Sequence, residues 1–153
     1  MLDPMDIAII EILQQDGRLA ISKLGNRIGL SQPATSERVR RLEERGVIGG
    51  YRAEIVVERL GLGLMAIISL RTTPEQIPRC LKQFSEMPQV IEVHRVTGEY
   101  CFLLKVIVPS PARLEHIVDA VARFGSVTTA LVLRSEPPKP VTGDLLKLGI
   151  GIA

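Results

Sequence analysis

Residues 18–46, RLAISKLGNRIGLSQPATSERVRRLEERG, restrict the possible folds of this chain more than any other stretch. Apolar Ile21, Leu24 and Ile28 recur at helical spacing, Gly29-Leu30 interrupts the pattern, and Ser31 restarts it as an N-cap. Two short helices meeting at such a break predict a helix-turn-helix. In the second helix Pro33 falls in the first turn, where its missing N–H costs nothing. Val39 and Leu42, with Thr35 one turn back, form the inward stripe, which leaves Gln32, Pro33, Ser36, Arg40 and, further round, Glu37 and Arg41 facing outward.

A helix entering a DNA major groove N-terminus first needs short hydrogen-bonding side chains near its tip and arginines further along to reach bases or phosphates. Ser31, Gln32, Pro33, Thr35, Ser36, Arg38, Arg40 and Arg41 are therefore the candidate DNA-contacting residues. Charge supports the placement. Between Arg18 and Arg45 seven basic residues (Arg18, Lys23, Arg27, Arg38, Arg40, Arg41, Arg45) face three acidic ones (Glu37, Glu43, Glu44), a local balance of +4, while the whole chain carries only +2. The positive charge is concentrated where the helix-turn-helix is.

The run GLSQPATSERVRRLEERGVI, preceded by LDPMDIAIIEILQQDGR and followed by HRVTGEY, resembles the Lrp/AsnC (feast/famine) transcriptional regulators of bacteria and archaea. The resemblance extends from Leu2 to about Arg134. It implies double-stranded DNA as partner, a small-molecule effector, usually an amino acid, and homodimers that build larger rings, often octamers.

Ahead of the helix-turn-helix, Asp3 reads as an N-cap, Pro4 as the first helical residue and Asp6 as favourable charge in the first turn, with Ile9, Ile10 and Leu13 as the buried stripe and Gly17 as the stop. The acids of this supporting helix are expected to face away from DNA. Ala20 stands where a capping side chain is more usual, predicting a weak start to the second helix. Beyond Gly46, residues 47–55 read as a turn, a short strand and a linker, which in the resembling family form a wing and a strand pairing with the partner subunit.

After Gly61-Leu62-Gly63 the period changes. Strands at Leu64–Arg71, Val90–Val96, Tyr100–Val108 and Val127–Leu133 alternate with two helices. One opens at Pro74-Glu75 with Ile77, Cys80, Leu81 and Phe84 inward, and the other is capped by Ser110-Pro111 with Leu114, Ile117, Val118 and Val121 inward. The order βαββαβ is the ferredoxin-like arrangement. The expected class is α+β, with a winged helix-turn-helix domain over 1–61, a ferredoxin-like domain for effector binding and oligomerisation over 62–134, and a tail over 135–153. The segments LMAIISL and FLLKVIV are apolar on both faces of the sheet, whereas helices cover only one, so the other face predicts a dimer. Two-fold symmetry would then place two recognition helices about 34 Å, or a multiple of it, apart on a palindromic site. In the tail, Glu136-Pro137-Pro138-Lys139-Pro140 is an extended spacer. Asp144–Leu148 can form a helical turn before the Gly-Ile-Gly-Ile-Ala end, either packed on a neighbouring subunit or frayed.

The turn Thr97-Gly98-Glu99-Tyr100 is the second candidate site. Glycine permits close backbone approach, exposed N–H groups can take a carboxylate, and Glu99 can hold an ammonium, the two handles of a free amino acid. Read alone, such a segment is also an ordinary hairpin turn. In the resembling family a Gly-Asp-Tyr-Asp run here lines an effector pocket between subunits, completed by a threonine from the neighbour's last strand. Gly98 and Tyr100 match it, Glu99 retains the first acid, Cys101 replaces the second, and Thr129 holds the strand position. Gly98, Glu99, Tyr100, Cys101 and Thr129 are thus the expected effector residues, with the missing acid at Cys101 altering the usual specificity.

At 153 residues, 46% hydrophobic and 24% charged, the chain suits two small folded domains. Its apolar runs are too short to cross a bilayer and its start lacks the pattern of a signal peptide, so a cytoplasmic protein with no membrane partner is expected. Cys80 and Cys101 read as reduced thiols. His94 and His116 lie apart without ligand spacing, so no metal or other cofactor is expected. No phosphate loop, nucleophile motif or catalytic carboxylate pair is present, and an enzyme is not expected. Two readings compete with an effector-responsive regulator: an architectural DNA-binding protein without effector, and an enzyme similar to the tetrapyrrole decarboxylases that share this domain pair.

Overall fold

Helix α1 (Pro4–Gln15) begins where Asp3 accepts the Asp6 N–H and Asp6 accepts the Asp3 N–H, a reciprocal capping box. The computed structural model describes residues 2–150. The helix stops two residues before Gly17, with the Asp16 N–H bonded to the Ile12 carbonyl. α2 (Ile21–Ile28) starts at Ala20 without a side-chain cap, as its sequence predicts, and ends at Gly29 in the left-handed conformation. α3 (Gln32–Glu44) follows at once, its Ser31 hydroxyl accepting the Ala34 N–H. Ile9, Leu24, Val39 and Leu42, one or two from each helix, make the core of this unit.

The close fit of α2 on α3 depends on a residue the periodicity does not mark. A Cβ on Gly25 would lie 2.7 Å from the Leu30 carbonyl oxygen and 2.8 Å from the Thr35 hydroxyl. Only a glycine lets the α2 backbone approach the start of α3 this closely. The Leu30 N–H then bonds to the Gly25 carbonyl at 2.9 Å.

Residues 49–56 pair with no strand of their own chain. Tyr51 instead packs beside Gly17 and its hydroxyl donates to Glu43 at 2.9 Å. Over its described residues the tail packs on the helical unit, with α6 (Gly143–Ile150) lying on α1. Gln14 exchanges two hydrogen bonds with the Val141 backbone (2.9 and 2.8 Å), the Gly143 N–H reaches Glu11, and Leu146 joins the helical core. The residues up to Glu54 and the segment from Pro137 onward thus form one unit, and Ile55–Glu136 the other. The boundary falls earlier than Gly61 because the 3-10 turn Val57–Leu60 belongs to the second unit. The last three residues of the Gly-Ile-Gly-Ile-Ala end lie outside the described residues.

The second unit is a four-stranded antiparallel sheet in the order β2-β3-β1-β4: β1 (Leu64–Arg71), β2 (Val90–Arg95), β3 (Phe102–Val108) and β4 (Ser126–Val132). Helices α4 (Ile77–Glu86, preceded by a 3-10 turn at Pro74–Gln76) and α5 (Pro111–Ala122) complete the ferredoxin-like βαββαβ order. Residues paired across strands share a face, so Ala66, Ile68 and Leu70 stand with Phe102, Leu104 and Val106. That face is covered by Cys80 and Phe84 of α4 and Ile117 and Val121 of α5, with Phe84 edge-on to Phe102 at 5.3 Å. Leu81, expected inward, is 45% exposed, while Ile77, Cys80 and Phe84 form the face of α4 that meets the sheet. The opposite face carries Met65, Ile67, Leu103, Ile107 and Val132, interrupted by Ser69, Lys105 and Thr128, and its residues do not belong to the core that α4 and α5 cover.

Candidate nucleic-acid interface and effector turn

On α3 two adjacent rows reach solvent. Gln32, Ser36 and Arg40 follow one another at intervals of four, and Pro33, Glu37 and Arg41 run beside them; all six are exposed, as is Ser31 at the cap. This surface presents two hydroxyls and an amide near the helix N-terminus and a carboxylate and two guanidinium groups further along, which suits contact with base edges and phosphates.

Two of the expected contact residues do not belong to it. Thr35 is fully buried, its hydroxyl donating to the Ser31 carbonyl at 2.9 Å, so it is a packing residue under the turn. Arg38 turns toward α1. Its Nη1 donates to Asp3 (2.6 Å) and Asp6 (2.8 Å), with Asp6 itself buried. Besides capping α1, these two acids tie α1 to α3. The Asp6 N–H, and then the Arg38 guanidinium, hold the Asp3 carboxyl below its ordinary value.

The Asp3 shift predicts an acid-labile N-terminal unit. A depressed carboxylate contributes fully above its ordinary value, near pH 4, and the contribution is lost as pH falls through the lower folded value. Melting temperatures taken at about pH 7, 4 and 3 should therefore fall most steeply over the last interval. Arg38→Met should start about 2 kcal/mol less stable, from charge-assisted hydrogen bonds lost, and should respond less to acid because only the helix-cap bond remains. An acid dependence equal to that of the unaltered protein would show that Arg38 is not the partner that matters.

Arg40 is engaged differently, within its own helix. Its Nε and Nη2 donate to the two oxygens of Glu37 at 3.0 and 2.8 Å, and its Nη1 donates to Glu44. Glu37 first, then Glu44, raise the guanidinium pKa, and Arg40 in turn lowers that of Glu37. Arg41 approaches Glu37 at 4.0 Å.

In the second unit, Gly98 (φ 106°) turns the chain between β2 and β3, where a residue with a side chain would be strained. Around the turn, Arg71 at the end of β1 meets Glu99 at 3.8 Å and the Tyr100 hydroxyl lies 3.1 Å from the Thr128 hydroxyl. Arg71 and Thr128 were not anticipated. Arg71 is the last residue of the strand its sequence predicts, and Thr128 is reachable only through the β1–β4 register that sets Ser69 opposite it.

Cys101 and Thr129 do not join this group within one chain. The Cys101 thiol donates to the Thr72 carbonyl (3.3 Å) and its N–H to the Leu70 carbonyl (2.8 Å), and β3 begins at Phe102, two residues later than its sequence predicts. Thr129 pairs with Ile68 and so stands on the helix-covered face. His94 does have a carboxylate neighbour, Glu92 at 3.2 Å, but the other oxygen of Glu92 takes the Lys105 ammonium at 2.9 Å, giving an exposed ion cluster.

Residues 2–43 match the AsnC-type helix-turn-helix domain and residues 65–141 the Lrp/AsnC ligand binding domain. The chain is similar to the uncharacterized HTH-type transcriptional regulator YezC of Bacillus subtilis, 38% identical over 143 residues that cover 91% of this chain and 99% of the relative. Among solved structures it is similar to Bacillus subtilis LrpC (TM-score 0.85, 29% identity, 91% of this chain and 99% of that one). It is also similar to a transcriptional regulator from Neisseria meningitidis in complex with L-Met (TM-score 0.85, 25% identity, 92% and 97%).

Proposed function

The chain belongs to the Lrp/AsnC family of helix-turn-helix transcriptional regulators, and on that premise we propose that it binds double-stranded DNA in a sequence-specific way and regulates transcription in response to a small effector. The observation that carries the reading is the exposed surface of α3, where Gln32, Ser36, Arg40 and Arg41 stand free of the core behind the Ser31 cap. It acts in the cytoplasm; among the described residues no helix is long and apolar enough to cross a membrane.

The effector site lies at the Gly98–Glu99–Tyr100 turn, completed by Arg71 and Thr128 and, across a subunit boundary, by Thr129 of a second copy. The class of ligand is an amino acid, in line with the L-Met complex of the Neisseria relative. The sheet face carrying Met65, Ile67, Leu103, Ile107 and Val132 gives a homodimer its contact, and dimers assemble further, toward an octamer. A ligand held between subunits favours one assembly over another and so changes the spacing of recognition helices.

Fluorescence anisotropy on the DNA upstream of the protein's own gene tests this, titrated at about 50 and 200 mM salt with and without a panel of amino acids that includes methionine. Tight binding that weakens steeply with salt and shifts with one amino acid is the expected result. Binding indifferent to every amino acid would leave an architectural protein. No specific binding would remove the regulator reading and direct attention to the subunit cleft as an active site.

A further inference from the structure

Arg40 is the exposed arginine of α3 whose orientation is fixed from two sides. Glu37 takes the Nε and Nη2 edge of the guanidinium and Glu44 takes Nη1. Of five N–H groups three are engaged, and one remains on each terminal nitrogen. Glu37 lies one turn toward the N-terminus of α3 and Glu44 one turn toward its C-terminus, so the guanidinium is held over its own turn of the exposed helix face.

Charge decides what such a pair can meet. Arg40 with Glu37 and Glu44 sums to −1, and counting Arg41, 4.0 Å from Glu37, brings the group only to zero. A phosphate, itself an anion, gains nothing from a neutral or negative cluster. A G·C pair in the major groove is uncharged and offers guanine O6 and N7 as adjacent acceptors beside the cytosine amino group as donor. The two remaining N–H groups of Arg40 fit the first, and the spare lone pairs of Glu37 fit the second.

Resting on the DNA-binding reading above, we propose that Arg40 is the guanine-reading residue of α3, with Glu37 as the acceptor for the paired cytosine and Glu44 as a positioning residue. Each half-site should then contain one G·C pair whose identity is set by this cluster. Gln32 and Ser36 remain for neighbouring positions.

The test is selection of binding sites by the full-length protein from a randomised duplex library, followed by anisotropy on the selected duplex and on variants with each base pair replaced. One G·C pair per half-site should be fixed, and its change to A·T should weaken binding roughly tenfold or more. Arg40→Lys keeps the charge and loses the fork, so it should retain the salt slope while the G·C preference at that pair collapses toward one. Glu37→Gln should reduce the same preference several-fold, leaving preferences at the other pairs unchanged. Circular dichroism of both variants should match the unaltered protein, since both side chains are exposed. If Arg40→Lys preserves the preference, or Arg40→Ala weakens every duplex equally and flattens the salt slope by about one ion, Arg40 is a phosphate contact and the proposal is wrong. Recovery of no common sequence at all would instead overturn the DNA-binding reading and this proposal with it.

Discussion

Gly25→Ala should unfold the N-terminal unit at ordinary temperatures and abolish DNA binding, although alanine is the better helix former. Helix propensity alone predicts a gain of about 1 kcal/mol for this change inside α2. The added Cβ, however, would sit 2.7 Å from a carbonyl oxygen and 2.8 Å from a buried hydroxyl, neither at the end of a flexible chain. Thr35 is held by its bond to Ser31 and Leu30 by its bond to Gly25, so relief requires α2 to move off α3. Overpacking of this kind costs about 3 kcal/mol, a large part of the stability of so small a unit. The sign of the change therefore separates the two effects. Gly49→Ala is the control, since nothing lies within 4 Å of its Cβ position, and it should shift the melt by less than about 0.5 kcal/mol. A Gly25→Ala protein as stable as the original would mean that α2 and α3 do not approach as described.

What the sequence revealed and what it hid divide by distance along the chain. Capping boxes, left-handed stops and apolar stripes are local, and the bounds of α2, α3 and β1 follow from them directly. Arg38 shows where this ends. Thr35, Arg38, Val39 and Leu42 occupy the i, i+3, i+4, i+7 stripe, so the first arginine of the run stands on the inward edge of the helix. Its partners Asp3 and Asp6 are more than thirty residues away, where no periodicity points. The restraint of Arg40 by Glu37 and Glu44 was available from i, i+3 and i, i+4 spacing, and a charge count that treats every arginine as free passes over it. The surroundings of the Gly98 turn depended in the same way on strand register. Tyr100 reaches Thr128 because β4 pairs with β1 so that Thr128 and Thr129 fall on opposite faces, which a sequence match to one threonine does not resolve. The docking of the tail on α1, through Gln14 and Glu11, has no local signal.

Gly125→Ala should be the most damaging single change in the second unit. A Cβ there would lie 2.1 Å from the Arg71 carbonyl oxygen and 3.3 Å from the Thr72 Cα, both backbone, and φ is 157°. The entry to β4 must separate from the end of β1, at a cost of about 3 kcal/mol from overpacking and unfavourable backbone together. The consequence extends beyond stability. Thr72 bonds through its hydroxyl to the Phe124 carbonyl at 2.6 Å and through its carbonyl to the Cys101 thiol, and Arg71 meets Glu99, so displacing residues 71–72 disturbs the whole turn at Gly98. Two melting transitions are expected, the one belonging to the sheet unit lowered and the helical one unchanged. Light scattering should show dissociation toward monomer, and affinity for a two-half-site duplex should fall toward that for a single half-site. Gly63→Ala, with open space at its Cβ position, should do none of this. An intact oligomer with full affinity in Gly125→Ala would show that the β1–β4 end tolerates separation and that the Gly98 turn is not braced from beneath.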